Sequence, residues 1–552
     1  MGKETYILNA FEPFFGNKNN LQLHEIEIDP DEQNPNGAPV EKTNPLGYNL
    51  DYVTAFYMVI QGIIGTGIFA TPGSIVKSIG SIGASYILSG GDVTYLEQAY
   101  PKPDFLVPTT YAAVSVLLSF LNSSAIAFGT YILSAADVQA TAWRQRGIGM
   151  GILSFVCILS CINTRATLRL SNILGSVKVI FLLFIIIVGF VTFGGGTRIS
   201  NPTYIFKNAW EGTTKDGNAI SNAIIKVSFS YGGTQYVFGV VGESNPNKTK
   251  NMYRFFIPSV VFFVFILYVL VITAYYAGSE GLENIKNSGT LISSLFFQNV
   301  FNSVPARKAL DVLVALSALG HLLAAVVGHS RALRECGRQG VLPYSNLWTT
   351  TKPWGTPILP ILATWFVNTI VMIAPPAGDS YNFIADIGSY SNYIFKLLTV
   401  VGLILVRKQR GKVGLGYEGW KVPVPILVIT ILFEIFVIAM AWVPPSNVTL
   451  IGSGVSFFYC TYAIVCIGIL GLCVLYYYIW AKVLPKIGKY KHRLLYYSLD
   501  NGEVGHTVVK VKEENLQTWD CEHDPSGKPI TRTENIIVEA VEFDKISALS
   551  NK

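Results

Sequence analysis

Charged residues are scarce in this 552-residue sequence, at 14%, whereas hydrophobic residues make up 51% of it. Such a composition is typical of membrane proteins and excludes an ordinary soluble domain. The seven cysteines lack the CxxC spacing of a zinc site, and five lie in apolar runs, so we interpret them as packing residues. Because no cluster of catalytic acids, bases or metal ligands stands out, we expect no enzyme, cofactor or metal.

Long apolar runs predict an all-α polytopic membrane protein. We expect about eleven spans, at 53–79, 105–134, 147–163, 173–193, 219–242, 255–277, 306–328, 358–374, 383–406, 422–443 and 457–484. The N-terminus lacks a short apolar segment with a cleavage site, so the first span should direct insertion.

Three domains are expected: a disordered cytoplasmic tail at 1–50, a transmembrane domain at 51–484 and a cytoplasmic C-terminal tail at 485–552. Residues 1–50 hold eight acidic and three basic residues, a composition that favours disorder. In the C-terminal tail, "HTVVKVK" and "NIIVEAVEF" are predicted to form short strands.

The distribution of basic residues predicts which loops face the cytoplasm. The basic loops are 164–172, 248–254, 331–354, 407–421 and 482–493. They alternate with weakly charged or acidic loops, which places the C-terminus inside. The net charge of +6 therefore indicates orientation in a membrane rather than a nucleic acid partner.

The same alternation fails by one span near the N-terminus. Between Ile79 and Asp104 the apolar material is "SIGSIGASYIL", about 11 residues or roughly 16 Å of helix, which is half of the hydrocarbon core. Either the N-terminus is external, or this piece re-enters the membrane, or the sequence has lost a span.

Two apolar segments are interrupted by helix-breaking residues. The first is "QGIIGTGIFATPGSI" at 61–75, and the second, at 219–242, contains "FSYGGT". Unwound backbone is tolerated in a membrane where it lines a cavity, and half-helix ends suit the carboxylate and ammonium groups of an amino acid. Tight packing of GxxxG type is the structural alternative, but Gly62, Gly65 and Gly67 do not keep that spacing.

Several motifs resemble the amino acid, polyamine and organocation transporter superfamily, and within it the L-type group and fungal high-affinity methionine permeases. They are "GIIGTGIFATPGSI", "FSYGGTQYVFGVVGESNPNKTK" and "LSALGHLLAAVVGHSRALRECGRQGVLPYSN". The resemblance implies a LeuT-type fold with two inverted five-helix repeats and two further C-terminal spans. It also implies a second span between "SIGSIGAS" and "SGGDVTYLEQ", which this chain lacks.

By the same resemblance, two sets of residues should hold the substrate. The carboxylate is assigned to Ile64, Gly65, Thr66, Gly67 and Ile68, and the ammonium group to Phe229, Ser230, Tyr231, Gly232 and Gly233. Tyr231 is the candidate gate, or else an aromatic residue packed against a neighbouring helix.

Lys178 lies about five residues inside an apolar run, where a bare ammonium group is costly. In some superfamily members a lysine on the fifth helix couples proton movement to transport, and Lys178 matches that place. Snorkelling to the cytoplasmic face is the alternative, since roughly 8 Å of helix would suffice.

Other polar residues within or beside spans are candidates for the cavity or its gates. His321, Asn122 and Lys226 could face the cavity, although packing is the simpler explanation for His321 and interhelical bonding for Asn122. Glu243 precedes "SNP" at the end of the second interrupted segment, where an acidic residue could form a conformational latch.

The resemblance implies a plasma membrane permease for methionine or a similar small neutral amino acid, taken up with protons by alternating access. A nutrient sensor, or a transport-incompetent product lacking one span, is the alternative. Beyond substrate, protons and the bilayer, ubiquitin-ligase adaptors are candidate partners at the tails, through Lys3, Lys18 and Lys42. No disulfide-linked heavy chain is expected, because the predicted outer loops contain no cysteine.

Overall fold

The computed structural model describes most of the chain from Leu50 onwards. The described residues are 46, 50–64, 100, 102–118, 121–207, 209–210, 213–233, 235–240, 243, 251–288, 291–374, 380–412, 423–445, 456, 458–498, 504–524 and 527–530.

Helices dominate the described part of the chain. The first half contains α1 (Tyr52–Ile63), α2 (Leu106–Leu117), α3 (Asn122–Ala135), α4 (Ala142–Ile162), α5 (Thr164–Phe193), α6 (Tyr204–Lys207), α7 (Gly217–Ser230), α8 (Gln235–Gly239) and α9 (Ile257–Ala277), the last preceded by a π-helical turn at Met252–Phe256. The second half contains α10 (Leu282–Ser288), α11 (Ile292–Phe301), α12 (Val304–Arg338), α13 (Ser345–Thr349), α14 (Ile358–Ile373), α15 (Ser380–Lys412), α16 (Val424–Met440) and α17 (Thr461–Tyr478).

The C-terminal part ends in a small folded unit. A π-helical turn at Ile479–Val483 and α18 (Leu484–Gly488) lead into β1 (Tyr490–Ser498) and β2 (Val504–Lys512), an antiparallel pair with Tyr490 opposite Lys512. A short 3₁₀ turn at Glu513–Asn515 and α19 (Leu516–Glu522) follow. The strand predicted from "HTVVKVK" is therefore confirmed within β2, whereas "NIIVEAVEF" lies outside the described residues.

Each of the eleven predicted spans contains helix in the described residues. Within the part of the chain that the structure describes, seven stretches are long and apolar enough to cross a membrane: Thr109–Ala135, Ala142–Ile162, Thr164–Phe193, Ile257–Ala277, Val304–Arg338, Asp386–Lys408 and Thr461–Gly488. Shorter apolar helices are Tyr52–Ile63, Ile292–Phe301, Ile358–Ile373 and Val424–Met440. The protein is accordingly a polytopic, predominantly helical membrane protein.

Several helix boundaries differ from the predicted spans, and the largest extensions are at the start of α5 and the end of α12. α5 begins at Thr164, ahead of the apolar run, since the Asn163 side chain accepts a hydrogen bond from the Ala166 amide at 3.0 Å. α12 continues to Arg338, well beyond the expected end at 328. In addition, α11 was not predicted, because its ten residues are too few to register as a span.

α5 shows how the helices divide their faces between lipid and protein. Ile173, Ile180 and Ile187 recur every seven residues and are more than 60% exposed. On the opposite face, Lys178 and Leu182 are buried against the core. An exposed face made of isoleucine is suited to hydrocarbon, so α5 presents one side to the bilayer and the other to the bundle.

The buried interior falls into two main clusters that frame the interrupted segments. One joins α1, α5, α9 and α12 through residues such as Ile60, Leu182, Val264 and Leu322. The other joins α7, α15, α16 and α17 through Ile225, Tyr390, Val437 and Cys466.

Candidate functional site

In the first interrupted segment, α1 ends within 61–75, the stretch where the sequence predicts a break. Asp51 starts α1 by accepting a hydrogen bond from the Thr54 amide at 2.7 Å, and the helix stops at Ile63. Ile64 leaves the helical conformation with φ −81° and ψ 65° and is fully buried. Gly65, Thr66, Gly67 and Ile68, assigned to the substrate carboxylate, lie outside the described residues.

The second interrupted segment is broken as predicted. α7 ends at Ser230, and α8 begins at Gln235. Between them, Tyr231, Gly232 and Gly233 are not helical. Gly233 has φ of +119°, a conformation that residues with a Cβ rarely adopt. Phe229 lies in the last turn of α7, but its side chain is outside the described set.

The two interrupted segments touch each other through glycines. A Cβ on Gly62 would lie 2.6 Å from the Gly233 carbonyl oxygen, and a Cβ on Gly233 would lie 2.3 Å from the Gly62 carbonyl carbon and oxygen. A side chain at either position would therefore force the segments apart. Close backbone approach, rather than only flexibility, explains why glycine occupies both positions.

Tyr268 of α9 connects the two helix ends. Its hydroxyl lies 2.9 Å from the Ile63 carbonyl oxygen and 2.6 Å from that of Ser230, and the residue is 1% exposed. Helix ends leave carbonyl groups without intrahelical partners, and the single proton of this hydroxyl lies within hydrogen-bonding distance of one from each segment. Tyr268 could not be singled out from the sequence, because it lies in an uninterrupted apolar run.

Tyr231, the candidate gate, packs against this connector. Its ring centroid lies 4.7 Å from that of Tyr268, with 30° between the planes, and Tyr231 is only partly buried. In this conformation Tyr231 therefore packs against a neighbouring helix, α9, as the alternative interpretation predicts. Because the Tyr231 ring is only partly buried, moving it away from Tyr268 would disrupt less packing than moving a fully buried ring.

Lys178 points into the break rather than towards the cytoplasm. The amine is 2% exposed and donates to the Gln61 side-chain oxygen and to the Ile64 carbonyl. Gln61 in turn donates from its Nε2 to the Ser171 carbonyl oxygen at 2.9 Å. The snorkelling alternative is wrong for this structure, and Lys178 ties α5 to the unwound end of α1.

His321 and Asn122 have different surroundings. His321 is partly buried, its Nδ1 lies 2.9 Å from the Ser124 hydroxyl, and its ring lies 5.8 Å from that of Tyr236. Asn122 is fully buried and donates to the Asn368 carbonyl oxygen at 2.8 Å. Asn122 thus makes an interhelical bond to α14, whereas His321 lies beside the second interrupted segment.

Glu243 belongs to a separate network at the predicted cytoplasmic end. Arg331 of α12 donates from Nε to its carboxylate at 2.9 Å and from a terminal nitrogen to the Thr164 hydroxyl at 3.0 Å. The Leu50 amide donates to the Glu243 carbonyl oxygen at 3.0 Å. The network joins α5 and α12 to the residues just before α1 and just after α8. The role of Glu243 as a latch stays a prediction.

Lys226 does not join the Lys178 group. It is 4% exposed on α7, which packs against α15, where Asp386 is 5% exposed. Asp386 was missed because it opens a predicted span, where a carboxylate reads as a boundary residue. Within the described residues no group of three His, Cys, Asp or Glu side chains could hold a metal ion.

Comparison with known proteins gives a consistent result. The amino acid permease family model matches residues 81–472. The chain is 31% identical over 505 residues to a high-affinity methionine permease of Saccharomyces cerevisiae, covering 86% of each chain. It is 25% identical to a low-affinity methionine permease of the same yeast, over 66% of this chain and 71% of the relative. A mouse b(0,+)-type amino acid transporter 1 is 24% identical over 72% of this chain and 83% of its own.

These relatives are transporters rather than enzymes, and the L-type group named in the resemblance is represented among them. The chain belongs to the amino acid permease family, within the amino acid, polyamine and organocation transporter superfamily.

Proposed function

We propose that this permease imports methionine or a similar small neutral amino acid with protons across the plasma membrane, by alternating access. The observation that carries the proposal is the contact between two interrupted helices at Gly62 and Gly233. Substrate and coupling-ion sites of secondary transporters lie at such paired interruptions near the bilayer midplane. The two yeast relatives named as methionine permeases support the choice of methionine.

The proposed substrate site has complementary ends. The backbone following Ile64 would present amides to the carboxylate, and the carbonyls beside Ser230 to Gly233 would accept from the ammonium group. Tyr231 would close over the substrate by leaving its contact with Tyr268. The fold proposed for this arrangement is of LeuT type, with two inverted five-helix repeats and two C-terminal helices.

Lys178 is the proposed proton-coupling residue. A buried amine is costly when charged, and its two acceptors, Gln61 and Ile64, lie at the first interruption. Protonation would therefore stabilise one arrangement of that segment, and deprotonation would release it. Glu243 with Arg331 would secure the cytoplasmic end while the outer side is open. The C-terminus is proposed to lie on the same, cytoplasmic side, as the basic loops predict.

Uptake of labelled methionine tests the proposal. The chain is expressed in yeast lacking its own methionine permeases, beside a variant with the second span of the yeast high-affinity relative inserted after Ser85, at external pH of about 5 and about 7. Uptake that is faster at the lower pH supports the proposal. Uptake by the inserted variant alone supports it too and indicates a lost span.

The alternative is a permease-derived nutrient sensor, or a product that cannot transport, and the missing second span favours it. If both versions reach the plasma membrane and neither takes up methionine or another neutral amino acid, the transport proposal is refuted. The variant with the inserted span is necessary because the missing span would fall within residues 65–99, which lie outside the described structure.

A further inference from the structure

A cavity opens on the lipid-facing side of α5, away from the interrupted segments. Its volume is about 410 Å³, and it lies between the last two turns of α5 and the end of α11. Ile187 and Val191 line it on α5, and Val300 and Phe301 line it on α11. Ile187 is 62% exposed and Phe301 is 39% exposed. The cavity is therefore an apolar groove that faces the surrounding bilayer.

Two polar residues lie at one end of this groove. Thr197 and Arg198, which follow α5 within five residues, also line it. The Thr197 hydroxyl oxygen is shielded from solvent and has no hydrogen-bond partner among the described residues. Arg198 is exposed, and no hydrogen bond or ion pair joins it to another described residue. The groove thus has apolar walls and a guanidinium group at its mouth.

The depth of the groove matches the boundary between lipid headgroups and acyl chains. α5 starts at a loop that is predicted to be cytoplasmic, so its end at Phe193 lies at the predicted outer surface. From Ile187 to Phe193 the helix rises about 9 Å, which places the apolar walls in the outer part of the hydrocarbon core and Arg198 beyond it. Tyr204 and Trp210 follow in the chain and are both exposed, as aromatic residues at a membrane interface often are.

The charge around the groove favours an anionic ligand. Between residues 181 and 208 the sequence has two basic residues, Arg198 and Lys207, and no acidic residue. A guanidinium group can donate two parallel hydrogen bonds to phosphate, and a threonine hydroxyl can donate a third. A membrane lipid with a phosphodiester group supplies both a phosphate for the mouth and an acyl chain for the walls. An apolar occupant without phosphate would make no use of Arg198.

We propose that this groove binds one anionic phospholipid, whose phosphodiester is held by Arg198 and Thr197 while one of its acyl chains fills the apolar walls. The lipid bridges α5 and α11, which already meet where the Phe184 ring stacks 6.4 Å from that of Phe301. Because α11 has ten residues and is too short to span the membrane, a lipid at this point holds its end against a spanning helix.

Binding of labelled phosphatidylglycerol to the purified full chain in detergent tests the headgroup contact. Arg198→Gln should weaken saturable binding at least about tenfold, because it removes a charge-assisted contact with phosphate. Lys207→Gln is the matched control, since Lys207 is basic, exposed and on the same outer stretch but does not line the groove. It should change the affinity less than about twofold. Equal losses in the two variants, or no loss in either, would overturn the proposed contact.

A second pair of variants tests the acyl-chain contact. Ile187→Trp places a large ring in the groove and should weaken binding at least about fivefold, because it takes the space of part of an acyl chain. Ile180→Trp is the control, because Ile180 lies two turns earlier on the same exposed face of α5 and outside the groove. Binding that is unchanged by Ile187→Trp would refute the acyl-chain contact. All four substitutions are at exposed positions, so melting without added lipid should stay as in wild type, and this is checked for each variant.

Competition identifies the source of the phosphate. Unlabelled phosphatidylglycerol should displace the label, whereas diacylglycerol with the same chains, glycerol phosphate and inorganic phosphate should not do so at the same concentration. Displacement by diacylglycerol would refute the role of the phosphate, and displacement by inorganic phosphate would refute a lipid site in favour of a free anion. The binding assay needs no transport, so its outcome is independent of the proposed function.

Discussion

Replacing Gly62 by alanine is the most direct test of the contact between the interrupted segments. The new Cβ would lie 2.6 Å from the Gly233 oxygen and 3.2 Å from the Tyr236 ring, whereas ordinary contact begins at 3.4 Å. The obstruction is backbone, which cannot rotate away as a side chain can. The segments must therefore separate by about 0.8 Å, since packed interiors have little free volume.

A misplacement of this size at a reacting or binding centre costs about 100-fold, or about 2.7 kcal/mol. We therefore expect methionine uptake by Gly62→Ala to fall about 100-fold per molecule at the cell surface, measured as initial rates of labelled uptake with surface fluorescence for normalisation. The control variants are Gly147→Ala and Gly151→Ala on α4, where a Cβ would meet nothing within 4 Å. Both should transport normally, because alanine is the better helix former.

The reasoning would be refuted if Gly62→Ala reached the surface and imported methionine within about twofold of wild type, a difference too small for a displaced site. If Gly62→Ala reaches the cell surface poorly, methionine binding is measured on the purified variant instead. There, loss of methionine binding by a folded Gly62→Ala protein supports the contact, whereas unchanged binding contradicts it.

Three further predictions follow from described contacts. Lys178→Met should abolish the uptake difference between external pH of about 5 and about 7, while an unaltered ratio would exclude Lys178 from coupling. Glu243→Gln leaves the buried Arg331 without its carboxylate partner and should lower the free energy of unfolding by about 3 kcal/mol. The control is Glu335→Gln, whose ion pair with Arg338 is nearer the surface and whose loss should cost under about 1 kcal/mol. Burial and nearby Lys510 lower the pKa of His492 to about 4, so the folded protein should lose stability as pH falls from about 6.5 towards 4, and His492→Phe should flatten that loss in melting curves.

The interruption in 219–242 could be predicted because Gly232, Gly233 and Thr234 are consecutive residues that are poor helix formers. The break after Ile63 was equally readable. What the sequence could not supply was the partner of each break. Tyr268 lies in an uninterrupted apolar run, and its role is visible only from its contacts to the carbonyl oxygens of Ile63 and Ser230, which belong to segments far apart in the sequence.

Charged residues illustrate the same division. Lys178 could be singled out because an amine in an apolar run is conspicuous, but only the structure distinguishes its contact with Ile64 from snorkelling. Asp386 begins an apolar run and so resembled a boundary residue, although α15 starts at Ser380 and buries it. The missing information was that the helix begins ahead of the apolar run.

The length of α12 has a consequence for regulation. This helix has 35 residues, about 52 Å in all, and it meets Gly239 through Gly328 and the C-terminal hairpin through the carbonyls of Arg338 and Gln339. The hairpin and the second interrupted segment therefore contact the same helix. If detaching the hairpin changes the affinity for substrate, then substrate binding must favour or oppose that detachment by the same free energy.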